Sequence, residues 1–222
     1  VGYGHQDAKF QGVSQSTYSF VIDESLVTSV LKERLQVEGI EKDDKETYER
    51  KFRLSESERY FHRDTYGEPN RYNFAIKSNH YYDSETLFKK SVDLLIQQCE
   101  NLKLEFIELL KDNVSRVSVE QNKEYIYHYE VEGESHTLGN LIQSHVMRRS
   151  VTDETLVNLC GYKKPHPLED KILFIVSLDP NHKLAKGDEV SKVLGATGFI
   201  LEQIDEIVND LRMLMKVSEK TF

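Results

Sequence analysis

Cysteine is scarce in this chain of 222 residues. Cys99 and Cys160 are the two present, and neither belongs to a CxxC pair. Zinc-ribbon and iron–sulfur spacings are therefore excluded. A lone cysteine on an apolar helix face reads as a small core residue, and such usage fits a reducing, intracellular compartment. No apolar run reaches the ~18 residues needed to cross a bilayer. No signal peptide is visible. The opening VGYGHQDAKF lacks a methionine, which fits a fragment or a processed product. Positive charge is also in deficit. The net charge is −9, so no global basic field attracts nucleic acid, and any contact with DNA or RNA has to be local or made by a partner.

Catalytic patterns are missing as well. There is no GxSxG elbow, and no Walker-type loop; VGYGHQ lacks the strand-then-helix context of a dinucleotide fingerprint. The histidines form no HxH, HExxH or Cys/His ligand pairs. His136, Cys160 and His166 could meet in space as a metal triad, but metal sites normally show closely spaced ligand pairs. Paired carboxylates are plentiful only in the run 31–70, which has no apolar setting to raise a pKa. No catalytic residue, metal ligand or cofactor is expected.

What is present is periodicity. STYSFVI alternates Tyr18, Phe20 and Ile22 on one side, as a strand does. Residues 31–70 then carry nine Lys/Arg and eleven Asp/Glu, the mixed-sign pattern of a solvated helix or a surface insertion. RYNFAIKS alternates again through Tyr72, Phe74 and Ile76. A long helix follows, with Asp83 as N-cap and Glu85 in its first turn, where a carboxylate favours the helix dipole. Its seam is Phe88, Val92, Leu95, Cys99, Leu102, Phe106 and Leu109, in heptad steps of 4 and 3. Leu87, Leu94, Ile96, Leu104, Ile107 and Leu110 widen the stripe, so this helix should be buried on more than one side.

The plan then recurs. EYIYHYEV reads as a strand with Tyr125, Tyr127, Tyr129 and Val131 on one face, and EGES as a turn. Thr137 is a candidate cap for a short helix from Leu138 to about Arg149. Residues 153–160 and KILFIVSL supply further strands, the second apolar on both faces and so expected to be covered on both. Asp188 caps a second long helix. Its seam is Val190, Val193, Thr197, Ile200, Ile204, Ile207, Leu211 and Leu214. Two long seams need partners, and the economical solution is that they pack on each other, as a pseudo-symmetric dimer within one chain. Gly195 and Gly198 each cost the second helix ~1 kcal/mol against Ala. Close helix approach is the natural compensation.

The segment HTLGN, His136 to Asn140, gathers groups that could be taken for an active site. Each also has a structural role: Thr137 as cap, Gly139 as a point of close approach, His136 and Asn140 as fasteners of the preceding turn.

ESHTLGNLIQSHV, followed by CGYKKPHPLEDKILFIV, resembles the small α-like subunit of cellular multisubunit RNA polymerases, the archaeal L subunit and eukaryotic polymerase II subunit eleven. That family carries an acidic residue before His-Thr-Leu-Gly-Asn, then a Tyr-x-x-x-His-Pro turn, an apolar strand and a long closing helix. Here these are His136, Thr137, Leu138, Gly139 and Asn140, then Tyr162, His166 and Pro167. Ser135 stands where the family usually has Asp. The first half resembles the larger partner, archaeal D or eukaryotic subunit three. Gly2, Gly4, Ala8 and Lys9 match its Gly-x-Gly-x-x-His-Ala-Lys-Trp segment, with Asp7 for His and Phe10 for Trp.

The resemblance implies an α+β fold in which two RNA polymerase α-subunit-like dimerisation units share one chain, with antiparallel sheets and two long packed helices. Residues 1–112 would form the closing part of a subunit-three-like unit, carrying the charged insert 31–70, and residues 113–222 a subunit-eleven-like unit. The intramolecular dimer interface would comprise Phe88, Val92, Leu95, Cys99, Leu102 and Phe106 against Val193, Thr197, Ile200, Ile204, Ile207 and Leu211. Implied partners are the two largest polymerase subunits and a small zinc-binding, subunit-ten-like polypeptide; the Gly2–Phe10 loop would face the second-largest subunit, with Lys9 and Phe10 as its contacts. Direct catalytic contact with nucleic acid and contact with a membrane are not implied. Such fusions resemble those of large DNA viruses, which points to the virion or viral factory, or to the nucleus for a cellular protein. The beginning of the larger half, with its insertion domain, would lie outside this chain. The competing readings are a stand-alone helical adaptor whose seams pair with other chains, and a hydrolase or nuclease of scattered His and Asp.

Overall fold

A computed structural model describes residues 8–38, 44–65, 67–79, 81–152 and 156–221. The chain forms two compact units, Val1–Phe88 and Lys89–Phe222, each built around its own sheet.

In the first unit, β1 (Val13–Phe20) pairs antiparallel with β2 (Tyr72–Ser78), and Tyr18 lies opposite Phe74 and Phe20 opposite Tyr72. The alternation expected of both strands is present, but it does not bury the aromatic face. Tyr18 is 63% and Phe74 64% exposed. Between the strands come α1 (Glu24–Val37) and α2 (Lys45–Ser55). Asp23 caps α1, accepting from the Ser25 and Leu26 amides at 3.1 Å. The charged run is thus more than a solvated surface. Val27, Leu31 and Phe52 are buried together, with Ile22, Val30, Leu35, Tyr48 and Tyr60 packed against them. Arg34 bonds Glu56 at 3.0 Å and lies over the Phe52 ring, which closes this small core on its polar side.

The long helix α3 (Ser84–Leu110) starts in the first unit and runs on through the second. Asp83 caps it as expected, accepting from the Thr86 amide at 2.6 Å. One seam is buried: Val92, Ile96, Cys99, Leu102 and Phe106. Of the wider stripe, Ile96 is buried, and it joins the seam where Leu95 is only partly covered. Leu94 and Leu104 are exposed, because a helix on one sheet face hides a single stripe of its surface.

The second unit is a four-stranded antiparallel sheet of order β3-β4-β6-β5, formed by β3 (Val117–Lys123), β4 (Ile126–Glu132), β5 (Val157–Lys163) and β6 (Lys171–Leu178). The edge strand β3 escapes a periodicity reading, because VSVEQNK buries Val117 alone. In β4 the residues Tyr127, Tyr129 and Val131 face the core, as the alternation predicts. Tyr125 does not join them; it sits in the hairpin turn at φ 63°. The central strand β6 alternates buried and half-buried positions, so one face is fully covered rather than both. Helix α4 (His136–Thr152) connects β4 to β5 and packs on β5, and α5 (Glu189–Thr221) closes the chain. Asp188 accepts from the Ser191 amide at 3.2 Å, the expected cap.

One side chain ties sheet to helices. Tyr129 is fully buried; its ring lies 6.0 Å from Phe106 on α3, and its hydroxyl is 3.1 Å from Thr197 on α5. Two ion pairs set α3 and α5 antiparallel: Lys103 with Asp205 at 2.5 Å and Arg212 with Glu100 at 2.6 Å. Exposed pairs of this kind contribute ~0–1 kcal/mol each, so they fix register more than stability. Phe106→Ala is expected to lower stability by about 3–5 kcal/mol. Tyr129→Phe, which leaves Thr197 unpaired in the core, should lose about 1 kcal/mol. Urea denaturation of the two variants measures both.

Candidate partner-binding surface

Helix α4 begins at His136, two residues earlier than its sequence suggests. The Gly139 amide donates to the Ser135 carbonyl at 3.1 Å, so Ser135 holds the cap position and Thr137 lies exposed in the first turn. The chain enters through Gly133, at φ 74°, a left-handed conformation that favours glycine. Glu134, the next residue, is buried with Arg116 3.7 Å away. Burial pushes its carboxyl above the ordinary range, and Arg116 works against that shift. Arg116 also bonds Glu105 of α3 at 3.0 Å, so one guanidinium joins the long helix to this turn.

The glycine of the motif has a definite reason. A Cβ on Gly139 would lie 2.7 Å from the Tyr162 ring of β5. The ring rests on bare helix backbone, edge-on to His136 at 5.9 Å and 6.4 Å from Phe174. Leu138, Ile142 and Val146 turn the apolar face of α4 into the core. Asn140 remains exposed. His166 accepts from the Leu168 amide through Nδ1 at 3.1 Å, which fastens the turn containing Pro167. Both motifs thus meet in space through Gly139 and Tyr162, and their contact is packing rather than chemistry.

A concave surface of about 550 Å³ opens beside this contact, lined by Leu95, His136, Thr137, Asn140, Leu141, Ser144, His145, Arg148 and Tyr162. No carboxylate belongs to that lining. Burial lowers the pKa of His145 below its ordinary 6.5; Asp210 and Glu206 oppose the shift and Arg148 adds to it. A neutral imidazole therefore prevails there near pH 7. Burial pushes the Cys160 thiol up to about 12 and the Cys99 thiol to about 11, so neither is a nucleophile or a ready ligand. Among the described residues no group of three or more His, Cys, Asp or Glu side chains is arranged to hold a metal ion. Among the described residues no helix is long and apolar enough to cross a membrane.

The other expected residues divide by location. Val92, Cys99, Leu102, Phe106, Thr197, Ile200, Ile204 and Ile207 are buried, while Phe88, Leu95, Val193 and Leu211 are partly covered. Val190 and Leu214, at the ends of the second seam, are exposed. Lys9 and Phe10 are exposed in a short 3₁₀ turn, the Lys9 ammonium 5.0 Å from the Phe10 ring centroid. Gly2 and Gly4 lie outside the described residues. Sequence periodicity missed the Glu134–Arg116–Glu105 network, whose members come from one helix and two loops and share no spacing. It also gave the two helix glycines one role. A Cβ on Gly195 would meet Leu156 at 2.7 Å, whereas one on Gly198 would meet nothing within 4 Å.

Comparison with known proteins finds a matching family model and several relatives. The family model for the RNA polymerase Rpb3/Rpb11 dimerisation domain matches residues 127–212, from β4 into α5. The DNA-directed RNA polymerase subunit Rpo11 of Metallosphaera sedula is 34% identical over 95 residues, 41% of this chain and 98% of that protein. Rpo11 of Saccharolobus solfataricus is 37% identical over 79 residues, 34% of this chain and 78% of that protein. A probable DNA-directed RNA polymerases I and III subunit, RPAC2 of Caenorhabditis elegans, is 58% identical over 43 residues, 19% of this chain and 26% of its own length.

The contact between the two motifs is open to direct test. Gly139→Ala is expected to destabilise by about 1–3 kcal/mol through overpacking against Tyr162, despite alanine's better helix propensity. In a Tyr162→Leu background the same change should become neutral or stabilising, and a double-mutant cycle in urea reads the difference. His145 gives a pH dependence. Its folded pKa lies below its unfolded value, so the unfolded chain takes up the extra proton as pH falls through about 6.5. Stability should therefore drop from pH 7 toward pH 5.5, and His145→Gln should flatten that drop in thermal melts across the range.

Proposed function

The chain belongs to the Rpo11 family of DNA-directed RNA polymerase subunits, and from that premise we propose that it is a non-catalytic assembly platform for the two large catalytic subunits of a multisubunit polymerase. The observation that carries the reading is the packing of Tyr162 on Gly139. It uses the most distinctive residues of the matched segment to build a rigid helix start, and leaves His136, Thr137 and Asn140 at the rim of an open surface. Both cysteines are buried, with thiols held protonated by desolvation, which fits a packing role for them.

In this reading residues 113–222 are the subunit-eleven-like unit. Residues 1–112 are the closing part of a subunit-three-like unit, with 31–70 as its insert, and the two are fused in one chain. The seams Phe88–Phe106 and Val193–Leu211 form the internal dimer interface. The turn at Lys9 and Phe10 meets the second-largest subunit. The motif residues His136–Asn140, with Tyr162, His166 and Pro167, support the dimer and adjoining subunits, among them a small zinc-binding polypeptide. A fused pair of this kind fits a large DNA virus, with the protein in virions or viral factories; a cellular counterpart belongs in the nucleus.

Co-expression with the two largest polymerase subunits, followed by affinity purification, tests the proposal: a stoichiometric complex is expected, and recovery of this chain alone rejects it. An Ile204→Glu change separates it from the stand-alone adaptor. Ile204 is fully buried within the chain, so the substitution should unfold it, seen as loss of the cooperative melt. An adaptor whose seams pair with other chains would remain a folded monomer.

A further inference from the structure

The strand β1 is bare to a degree that its own unit does not explain. Residues 14–19 are all exposed, so both faces of the strand meet solvent. Its partner β2 is little better covered, with residues 72–75 exposed. A two-stranded sheet without a covered face is marginal by itself. Among the described residues β2 is the one strand paired with β1, and the register sets Ser16 opposite Ile76, Thr17 opposite Ala75 and Tyr18 opposite Phe74. Just past the strand, the Val21 amide donates to the Arg71 carbonyl at 3.0 Å. Antiparallel alternation then turns the backbone of Thr17 and Ser19 toward β2 and that of Ser16 and Tyr18 away from it. The outward amides and carbonyls line a free sheet edge.

Proteins guard such an edge with lysine, proline, an inward charge or a bulge. Residues 10–22 contain no Asp, Glu, Lys, Arg, His or Pro, the longest run without a charge or a histidine in a chain that is 30% charged. The register shift between Val13 and Gln15 lies at the start of the strand and leaves the rest regular. A shallow groove of about 540 Å³ follows the chain here, lined by every residue from Phe10 to Ser16 in succession. No charge in that lining can select an ionic ligand. What the edge offers is its backbone, and a row of outward N–H and C=O groups fits another extended strand. The side chains set the pattern of that strand. Ser16, Tyr18 and Phe20 share one face, where the Tyr72 and Phe74 rings lie 6.3 and 6.4 Å from Tyr18. Gln15, Thr17 and Ser19 share the other.

We propose that the free edge of β1 accepts an extended, uncharged strand of the second-largest polymerase subunit, which joins β1 and β2 as a third strand. Its aromatic or β-branched side chains lie beside Tyr18 and Phe20, and its small hydroxylated ones beside Thr17 and Ser19. The proposal rests on the assembly reading above, which sets the turn at Lys9 and Phe10 against that subunit; the groove begins at Phe10 and continues from that turn along β1.

The test uses the full chain co-expressed with the two largest subunits. Ser16→Pro removes an amide that points away from β2, and Ser16→Lys places a charge on the edge. Both should melt as the parent does, while their recovery with the second-largest subunit falls about tenfold or more. Thr17→Pro removes an amide that faces β2, so it should melt lower. Hydrogen exchange supplies the signature of strand addition: the Ser16 and Tyr18 amides should exchange freely in the chain alone and become protected in the complex. A photo-crosslinking residue at position 17 should join an extended, uncharged segment of the second-largest subunit, identified by mass spectrometry. Ser16→Lys complexes recovered as well as the parent's, Ser16 and Tyr18 amides still unprotected in the complex, or crosslinks to the largest subunit or to a second copy of this chain overturn the proposal. So does a Ser16→Pro chain that melts as low as Thr17→Pro, because its amide is then engaged within the fold. A parent that enters no complex removes the assembly reading and this partner with it; a parent that assembles while Ser16→Lys assembles equally rejects the added strand alone.

Discussion

The second unit depends on the burial of Tyr129. A tyrosine in a core must satisfy its hydroxyl or lose the free energy of an unpaired polar group. Here the ring fills the space against Phe106 and the hydroxyl meets Thr197, so one side chain of β4 specifies the positions of both long helices. Removal from bulk water holds its phenol far from ionisation, pushed up to about 12 by burial. Everything else in the unit is arranged around that fixed point. The sheet carries Tyr129 on its covered face, and the ion pairs at the rim of α3 and α5 keep the helices antiparallel.

A second constraint acts on α4. Gly139 and Tyr162 are 23 positions apart, yet the ring occupies the place of the missing Cβ. A helix interior normally favours alanine over glycine by about 1 kcal/mol. The packed ring offsets that loss by letting the α4 backbone lie directly on β5. His136 and Asn140, which look like candidates for chemistry in a linear sequence, become the polar edge of a packing contact. The same physics separates the two glycines of α5, one filled by Leu156 and one open.

The first unit shows how a polar segment can still fold. Half of residues 31–70 are charged, but three apolar side chains around them, Val27, Leu31 and Phe52, suffice for a local core when Asp23 caps α1 and Arg34 bonds Glu56 above it. The aromatic face of β1 and β2 has no such cover, and Tyr18 and Phe74 stand out from it. Burial there is a matter of neighbours rather than of strand pattern.

Much of this was legible in the sequence. Caps at Asp83 and Asp188, the buried steps from Val92 to Phe106 and from Thr197 to Ile207, and the alternation of β4 all follow from local periodicity and from side chains that satisfy nearby amides. Those are short-range effects, and a linear pattern records them. The tertiary structure alone decided the rest: that Ser135 and not Thr137 starts α4, that one face of α3 and of β6 is hidden rather than two, that Arg116 joins Glu105 to Glu134, and that Gly198 faces open space. Each depends on which atoms arrive from distant parts of the chain, and spacing along one element carries no record of them.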